Sequence, residues 1–566
     1  MALSLSPAAR RQLTNGLTAF SLGTLCFIRR WYDLEHLQPR GLDYFRSAPE
    51  SLALLESTIV AAMLLAAVFW GAWRWVERSS IPGLRLFAQV VFLLVLMFPI
   101  ESVRRYWNSQ TDTFDIGSNV ALWGIEAILA AGVVALLFGS TRILMPARRV
   151  TLLLLLLFPA LMMDFLMNRL GAEQAELYVP RPPAPLLPAR GPRAPRFIWV
   201  IFDELDQRLV FERRPSYLEL PELDRLRAES VSANHAVETA TFTAIALPSL
   251  ISGQIFTNAQ AVDANTLEVI PQGSTKPVDW RSEPNVFTRA RQLGVNAAMA
   301  GWHHPYCRVL GDQLVDCFAL PSFHSTTALA EEARAARDGM WKTVAWLFQR
   351  QLVNLGDMFR VGDEPASGRL HDAELQRGQQ QQYFQIRDHA YRDAADPRID
   401  LLLVHIPAPH PLPIYNRREG NFDLDGHPDK PLDYFDNVAL ADRTLGELRR
   451  AIEQAGLSDR TSLLVTADHG LRPGAWIGRV GWTEEMDRLT ERHPPETVPF
   501  ILKLAGQKQP LRVERAFSNV AAADLALAVL GGKVATPEQA AAWMNQRASG
   551  EAVSQAAARK SVRSAQ

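Results

Sequence analysis

The sequence predicts an α/β protein in two parts. An N-terminal bundle of about five transmembrane helices precedes a globular part built on a mostly parallel sheet flanked by helices. Three observations carry that reading. Nearly all of the long apolar runs in the 566 residues fall before about residue 170. Beyond it, the continuous apolar runs FIWVIF (197–202), RIDLLLVHI (398–406) and TSLLVTA (461–467) have the character of strands buried on both faces. Helical periodicity separates them, most clearly in NVALADRTLGELRRAIEQAG (437–456), and strands alternating with helices imply a parallel sheet.

In chain order the candidate spans are about 13–28, 52–73, 84–100, 120–138 and 150–167. Roughly 20 apolar residues cross a bilayer, and the last four come close to that length. The first is diluted by Thr and Gly; it also fits a signal peptide with Arg10 and Arg11 as its basic head, but no small-residue cleavage site follows. Arg10 and Arg11, then Arg74, Arg78 and Arg85, then Arg142, Arg148 and Arg149 fall on alternate loops, the pattern of cytoplasmic loops. Arg29, Arg30, Arg40 and Arg46 on the opposing loop weaken the bias. An odd number of spans places the C-terminal part outside the cytoplasm.

The division expected is a transmembrane domain at 1–170, a Pro-rich linker at 171–195, a catalytic domain at 196–540 and a disordered tail at 541–566. Cys307 and Cys317 form a candidate disulfide in an exported domain, the alternative being two buried thiols. A net charge of −1 and a pI near 6.9 argue against a nucleic-acid partner. The chain is expected to be a monomer.

Chemistry gathers where the strands end. FIWVIF runs into Asp203 and Glu204, TSLLVTA into Asp468 and His469, and LLLVHIPAPHP carries His405 and His410. The carboxyl ends of strands form the ligand crevice of open α/β sheets. Mixed carboxylate and imidazole donors there suit Zn²⁺ or Mn²⁺, one or two per chain. Each piece has a plainer reading: an acidic pair is often a solvated turn, and Thr243 in TATFTAIALPSLISG reads equally as a helix cap.

FIWVIFDELD, TFTAIALPSLISG, HIPAPHP and LLVTADHG, in that order, resemble the alkaline-phosphatase/sulfatase superfamily. The spans in front resemble its membrane-anchored branch, the phosphoethanolamine and phosphoglycerol transferases that include lipoteichoic acid synthase. The resemblance implies a sulfatase-like catalytic domain. Its metal ligands would be Asp203, Glu204, Thr243, Asp468 and His469, with Thr243 as nucleophile and His410 and His405 binding substrate. The residues after Thr243 read AIAL, so the Cys or Ser and following PSR of an ordinary sulfatase are absent. Where the transferases carry a His before Val-Pro this chain has Thr497, and His493 one turn upstream is the candidate substitute.

The function so implied is transfer of a phospho-head group from a phospholipid donor to an envelope glycan or lipid acceptor. It would take place at a bacterial inner membrane, with the catalytic domain on the periplasmic or extracellular side. The alternatives are a phosphate or sulfate ester hydrolase using the same site, and a catalytically silent binding module.

Overall fold

A computed structural model describes residues 6–28, 30–31, 48–110, 116–155, 158–159, 163, 180–262, 265–321, 339–358, 366–424, 432–477, 481–492 and 497–547. The chain divides into two compact units. One comprises Met1–Gln38, Phe45–Glu176 and Leu329–Leu370; the other comprises Pro39–Tyr44, Leu177–Ala328 and His371–Gln566.

The first unit holds α1 (Pro7–Cys26), α2 (Ala48–Arg78), α3 (Leu84–Gln110), α4 (Ile116–Leu137) and α5 (Leu144–Leu154). Helices α1 and α2 approach so closely that a Cβ on Gly23 would lie 2.6 Å from the carbonyl oxygen of Ala62. Small residues allow such backbone contact between apolar helices. Among the described residues only Ala53–Arg78 and Leu84–Ser102 are long and apolar enough to cross a membrane, which corrects the expectation of five. Helix α1 carries Arg10, Arg11, Gln12, Thr14 and Asn15, and Glu77 of α2 accepts a hydrogen bond from Asn15 Nδ2 at 3.1 Å. The described apolar helix of the fourth run is Trp123–Leu137, and α5 has 11 residues. The orientation argument, which needs an odd number of spans, is not carried by these two helices.

The helix Met340–Met358 also belongs to this unit, although it lies inside the 196–540 stretch. Its Val344 and Leu347 are buried with Phe27, Trp31, Leu54 and Phe98.

The second unit is built on β1 (Arg196–Asp203), β2 (Val231–Val237), β6 (Ala297–His303), β7 (Asp316–Pro321), β8 (Leu401–Pro409), β9 (Thr461–Ala467), β10 (Thr497–Lys503), β11 (Leu511–Val513) and β12 (Phe517–Ser518). The three strands between β2 and β6, namely β3 (Phe256–Ala261), β4 (Leu267–Pro271) and β5 (Val278–Asp279), form a separate antiparallel sheet. The main sheet has the order β11-β2-β10-β9-β1-β8-β6-β7, with β12 beside β2. Strand β10 runs antiparallel to β9 and β2, and the other pairings are parallel. Every residue of β1, β8 and β9 is buried, as their unbroken apolar runs require. Val200 of β1 stands between Val404 and Val465, so the acids that end β1 lie mid-sheet, between the ends of β8 and β9. The helices used below are α6 (Thr243–Ser252), α7 (Ala366–Ala395) and α8 (Tyr434–Gln454).

The Pro-rich segment is no free spacer from residue 180 onward. The amide of Ala184 donates to Leu314 O at 2.7 Å, and that of Leu187 to Asn296 Oδ1 at 2.9 Å. A segment lacking amide donors at its prolines uses the few it has to lie along the sheet unit. The expected disordered tail likewise begins inside the helix Pro537–Arg547, where Met544 is buried. Cys307 and Cys317 are joined as a disulfide.

Candidate active site

Asp203 closes β1, and Glu204 follows it with φ of 61°, a left-handed conformation costly for a side chain with a Cβ. Tyr434, at the start of α8, holds this turn by donating its hydroxyl to Glu204 O at 2.6 Å. Asp468 and His469 follow β9. The Asp468 Oδ1 atom accepts from the amides of Glu204 (3.2 Å) and His469 (2.8 Å), tying the two strand ends together. Glu238 fixes the far side of the loop by accepting from the amide of Gly470 at 2.9 Å.

Thr243 is the first residue of α6 and is buried. The residue in the cap position is Phe242, and no side chain caps the helix, so the helix-cap reading of Thr243 fails. Its hydroxyl instead lies 3.0 Å from His469 Nε2 and 3.3 Å from Asp203 Oδ2. The tautomer of His469 follows from its neighbour: Nδ1 is 2.9 Å from the carbonyl oxygen of Gly470, which only accepts, so Nδ1 carries the proton and Nε2 presents a lone pair. Burial pushes the His469 pKa down to about 4, which keeps the ring neutral. His405 is arranged alike, with Nδ1 3.2 Å from Trp302 O and burial holding its pKa near about 4.

The electrostatics of the cluster call for a cation. Asp203 and Asp468 are fully buried, and burial pushes both carboxyl groups above their usual range; for Asp203 the charges of Asp468 and Glu204 add to the push. Among the described residues Asp203 Oδ1, Asp468 Oδ2 and His405 Nε2 have no hydrogen-bond partner. The bare Nε2 of His405 faces Asp203 Oδ2 across 3.6 Å, lone pair to lone pair. Buried polar atoms are seldom left so, and a divalent ion among them satisfies acids and imidazoles together. Asp203, Asp468 and His469 bring their donor atoms within 4.8 Å of one another, as do Asp203, Glu204 and His410. Each imidazole giving its second nitrogen to a carbonyl is the outer support that metal-binding histidines use.

Glu204 differs from the other acids. Arg472 Nε donates to its Oε1 at 2.7 Å, the Arg472 terminal nitrogen reaches the same oxygen, and Trp476 Nε1 donates to Oε2 at 2.9 Å. His410 packs edge-on between Trp302 and Trp476, at ring separations of 5.5 and 4.8 Å, and its Nδ1 meets Pro411 O. The structure therefore brings Asp203, Thr243, Asp468, His469 and His405 together, with Glu204 and His410 beside them. His493 lies outside the described residues. Arg472 and Trp476 were not singled out in the sequence. Arg472 stands four residues after Asp468, and a cation that close to a strand-end acid was the available signal.

Against known proteins, the profile of the type I phosphodiesterase / nucleotide pyrophosphatase family matches residues 198–546. The crystal structure of Ps i-CgsB is similar at 14% identity over 61% of this chain and 74% of that one, with a TM-score of 0.39. The phosphonate monoester hydrolase of Agrobacterium radiobacter is similar at 15% identity over 60% and 74%, with a TM-score of 0.36. For the lipoteichoic acid synthase LtaP from Listeria monocytogenes the values are 14%, 60%, 72% and 0.35. Likenesses at these scores carry no argument of their own. No curated protein gives a significant match. The family profile spans more than half of the chain, from β1 through the helix Pro537–Arg547, and the protein belongs to the type I phosphodiesterase / nucleotide pyrophosphatase family, metal-dependent enzymes of the alkaline-phosphatase superfamily.

Proposed function

We propose that this enzyme moves a phospho-head group, of phosphoethanolamine or phosphoglycerol type, from a phospholipid to an envelope glycan or lipid, with Thr243 as the nucleophile. One observation carries the reading: the Thr243 hydroxyl, which caps nothing, sits against a neutral imidazole and a carboxylate inside a buried acid cluster. Two helices long enough to cross a membrane, and the disulfide of the second unit, support anchoring at a bacterial inner membrane with the catalytic unit on the periplasmic side.

Asp203, Thr243, Asp468 and His469 would hold one divalent cation, Zn²⁺ or Mn²⁺. When bound, such a cation makes the hydroxyl more acidic and offsets charge on a phosphoryl oxygen. Thr243 Oγ1, its proton released to solvent, attacks phosphorus. The bond from phosphorus to the diacylglycerol oxygen breaks, and His410 in its protonated form gives that oxygen a proton from Nε2. His410 then takes the proton of the acceptor hydroxyl as that oxygen attacks phosphorus, the bond to Thr243 breaks, and Thr243 Oγ1 regains a proton from solvent. Arg472, fixed by Glu204, supplies a second positive charge to the cluster, which is why one ion is proposed rather than two.

The test uses the full chain in phospholipid vesicles carrying a fluorescent phospholipid. Thr243→Ala should lower diacylglycerol release by on the order of 10⁴-fold or more, while Thr243→Ser retains turnover and Thr241→Ala is nearly silent. Near-normal release by Thr243→Ala would refute the nucleophile. Release of the free phospho-head group at a rate indifferent to added glycan would favour the hydrolase reading, to which the family description also fits.

A further inference from the structure

A second group of metal-ligating side chains lies away from the catalytic cluster. Asp316 is the first residue of edge strand β7, paired with Ala298 near the start of β6. Asp203 is the last residue of β1, and β1, β8, β6 and β7 run parallel, so Asp316 marks the opposite end of the sheet. Across from Asp316, His389 and Asp393 stand four apart on one face of α7.

The geometry around His389 Nε2 is over-subscribed. Asp316 Oδ1 lies 2.9 Å from it and Asp393 Oδ2 3.4 Å, both acceptors that want a proton there. Arg392 brings a donor to 2.6 Å from the same nitrogen, and that donor wants a lone pair. The same Arg392 nitrogen lies 3.0 Å from Nδ1, which can accept from it, but the single proton on Nε2 serves only one of the two carboxylates and leaves the other without a donor. Asp393 Oδ2 is buried without a hydrogen-bond partner, on a side chain only 2% exposed.

We infer that Asp316, His389 and Asp393 form a structural site for a divalent transition-metal ion. Its ligands are Asp316 Oδ1, Asp393 Oδ2 and a neutral His389 Nε2, a donor set that suits Zn²⁺ or Mn²⁺. With the lone pair of Nε2 given to a cation, both inner carboxylate oxygens gain a counter-charge. Arg392 also touches the outer oxygens, Asp316 Oδ2 at 3.3 Å and Asp393 Oδ1 at 3.4 Å, but it is 60% exposed and gives way to solvent when an ion takes its place. Phe318 stacks on the His389 ring at 4.7 Å and fixes its plane. The ion ties the first residue of β7, at the end of the strand order, to the helix beside it.

The test separates this ion from the catalytic one. The full chain is purified in detergent with Asp468→Asn and His469→Ala, stripped with chelator, and titrated with Zn²⁺ or Mn²⁺ by calorimetry and thermal melting. One equivalent should still bind and raise the melting temperature. Adding His389→Ala, or separately the milder Asp316→Asn, should remove both effects. Arg392→Gln should tighten binding by removing a competing cation. In an otherwise unaltered chain, His389→Ala should leave turnover at saturating metal unchanged. No metal bound in the catalytic-site variant would overturn the proposal, as would binding indifferent to both His389→Ala and Asp316→Asn.

Discussion

Two groups of buried acids in the second unit answer the same physical problem in opposite ways. Asp433, Asp436 and Asp442, at the cap and in the first half of α8, all have donors. Asp433 accepts from the amide of Asp436 and pairs with Arg417; Asp436 accepts from the amides of Asp433 (2.7 Å) and Arg417 (3.0 Å). Asp442 takes the amides of Glu222 and Leu223, the second and third positions of the helix Pro221–Ala228. At the candidate active site, Asp203 and Asp468 have no Lys or Arg ion-pair partner among the described residues, and each keeps one oxygen without a donor. An unsatisfied buried polar group costs about 1–3 kcal/mol, more when charged. The first group is there for the fold. The second is held against the interests of the fold, and such sites are where function is found.

Asp468→Asn sharpens that contrast most. Turnover should become undetectable and catalytic metal binding should vanish. The chelator-treated protein should nonetheless melt higher than the chelator-treated parent, because a charge that burial opposes, and that itself disfavours ionised Asp203, has been removed. A lower melting temperature without metal would break the comparison. Arg472→Met comes next. It should cost turnover about 10²-fold, the scale of losing one fixed positive or hydrogen-bonding group from a transition state. It should also free Glu204 Oε1 and allow a second ion to bind, measurable as metal content per chain. Unchanged turnover and stoichiometry would remove Arg472 from the site.

Legibility from sequence followed the same divide. Strands β1, β8 and β9 were readable because burial on both faces leaves few polar residues to blur the run, and the site acids follow the apolar cores of two of those runs. Strands β2 (VSANHAV) and β6 (AAMAGWH) were not, since Ser, Asn, Ala and Gly give neither apolar contrast nor β propensity. Which unit a helix joins was also hidden. Met340–Met358 has an apolar stripe at helical spacing that any surface would accept, and only the structure shows Val344 and Leu347 beside Phe27 and Trp31. The capping role offered to Thr243 was the reasonable default, and it fails because the cap position falls one residue earlier, at Phe242.

At the structural acids the expected effects are on stability alone. Asp436→Ala strips Arg417 of one partner and the start of α8 of its reciprocal cap, and should destabilise by about 3 kcal/mol. Turnover per folded molecule should stay as it was. A loss of turnover without a loss of stability would mean that this group, too, belongs to the site.

The smallest effect is expected at Asp442, where it appears as a dependence on pH. Burial pushes its carboxyl up to about 6 from an ordinary value of 3.8. The folded chain therefore holds this proton more tightly than the unfolded chain does. The stabilisation from that proton is complete below about pH 4 and is lost as pH rises through about 6. Asp442→Asn removes the titration and keeps an oxygen for the Leu223 amide, at 2.7 Å the shorter of the two bonds. The variant should gain relative to its parent as pH rises from 4 to 7, by on the order of 2 kcal/mol, one pKa unit being about 1.4 kcal/mol. Thermal melts of both proteins at those two pH values measure the difference. If the gap between them does not change with pH, Asp442 ionises in the folded chain as easily as in the unfolded one. Its two amide donors would then offset its burial in full, and the contrast with the catalytic acids would be sharper still.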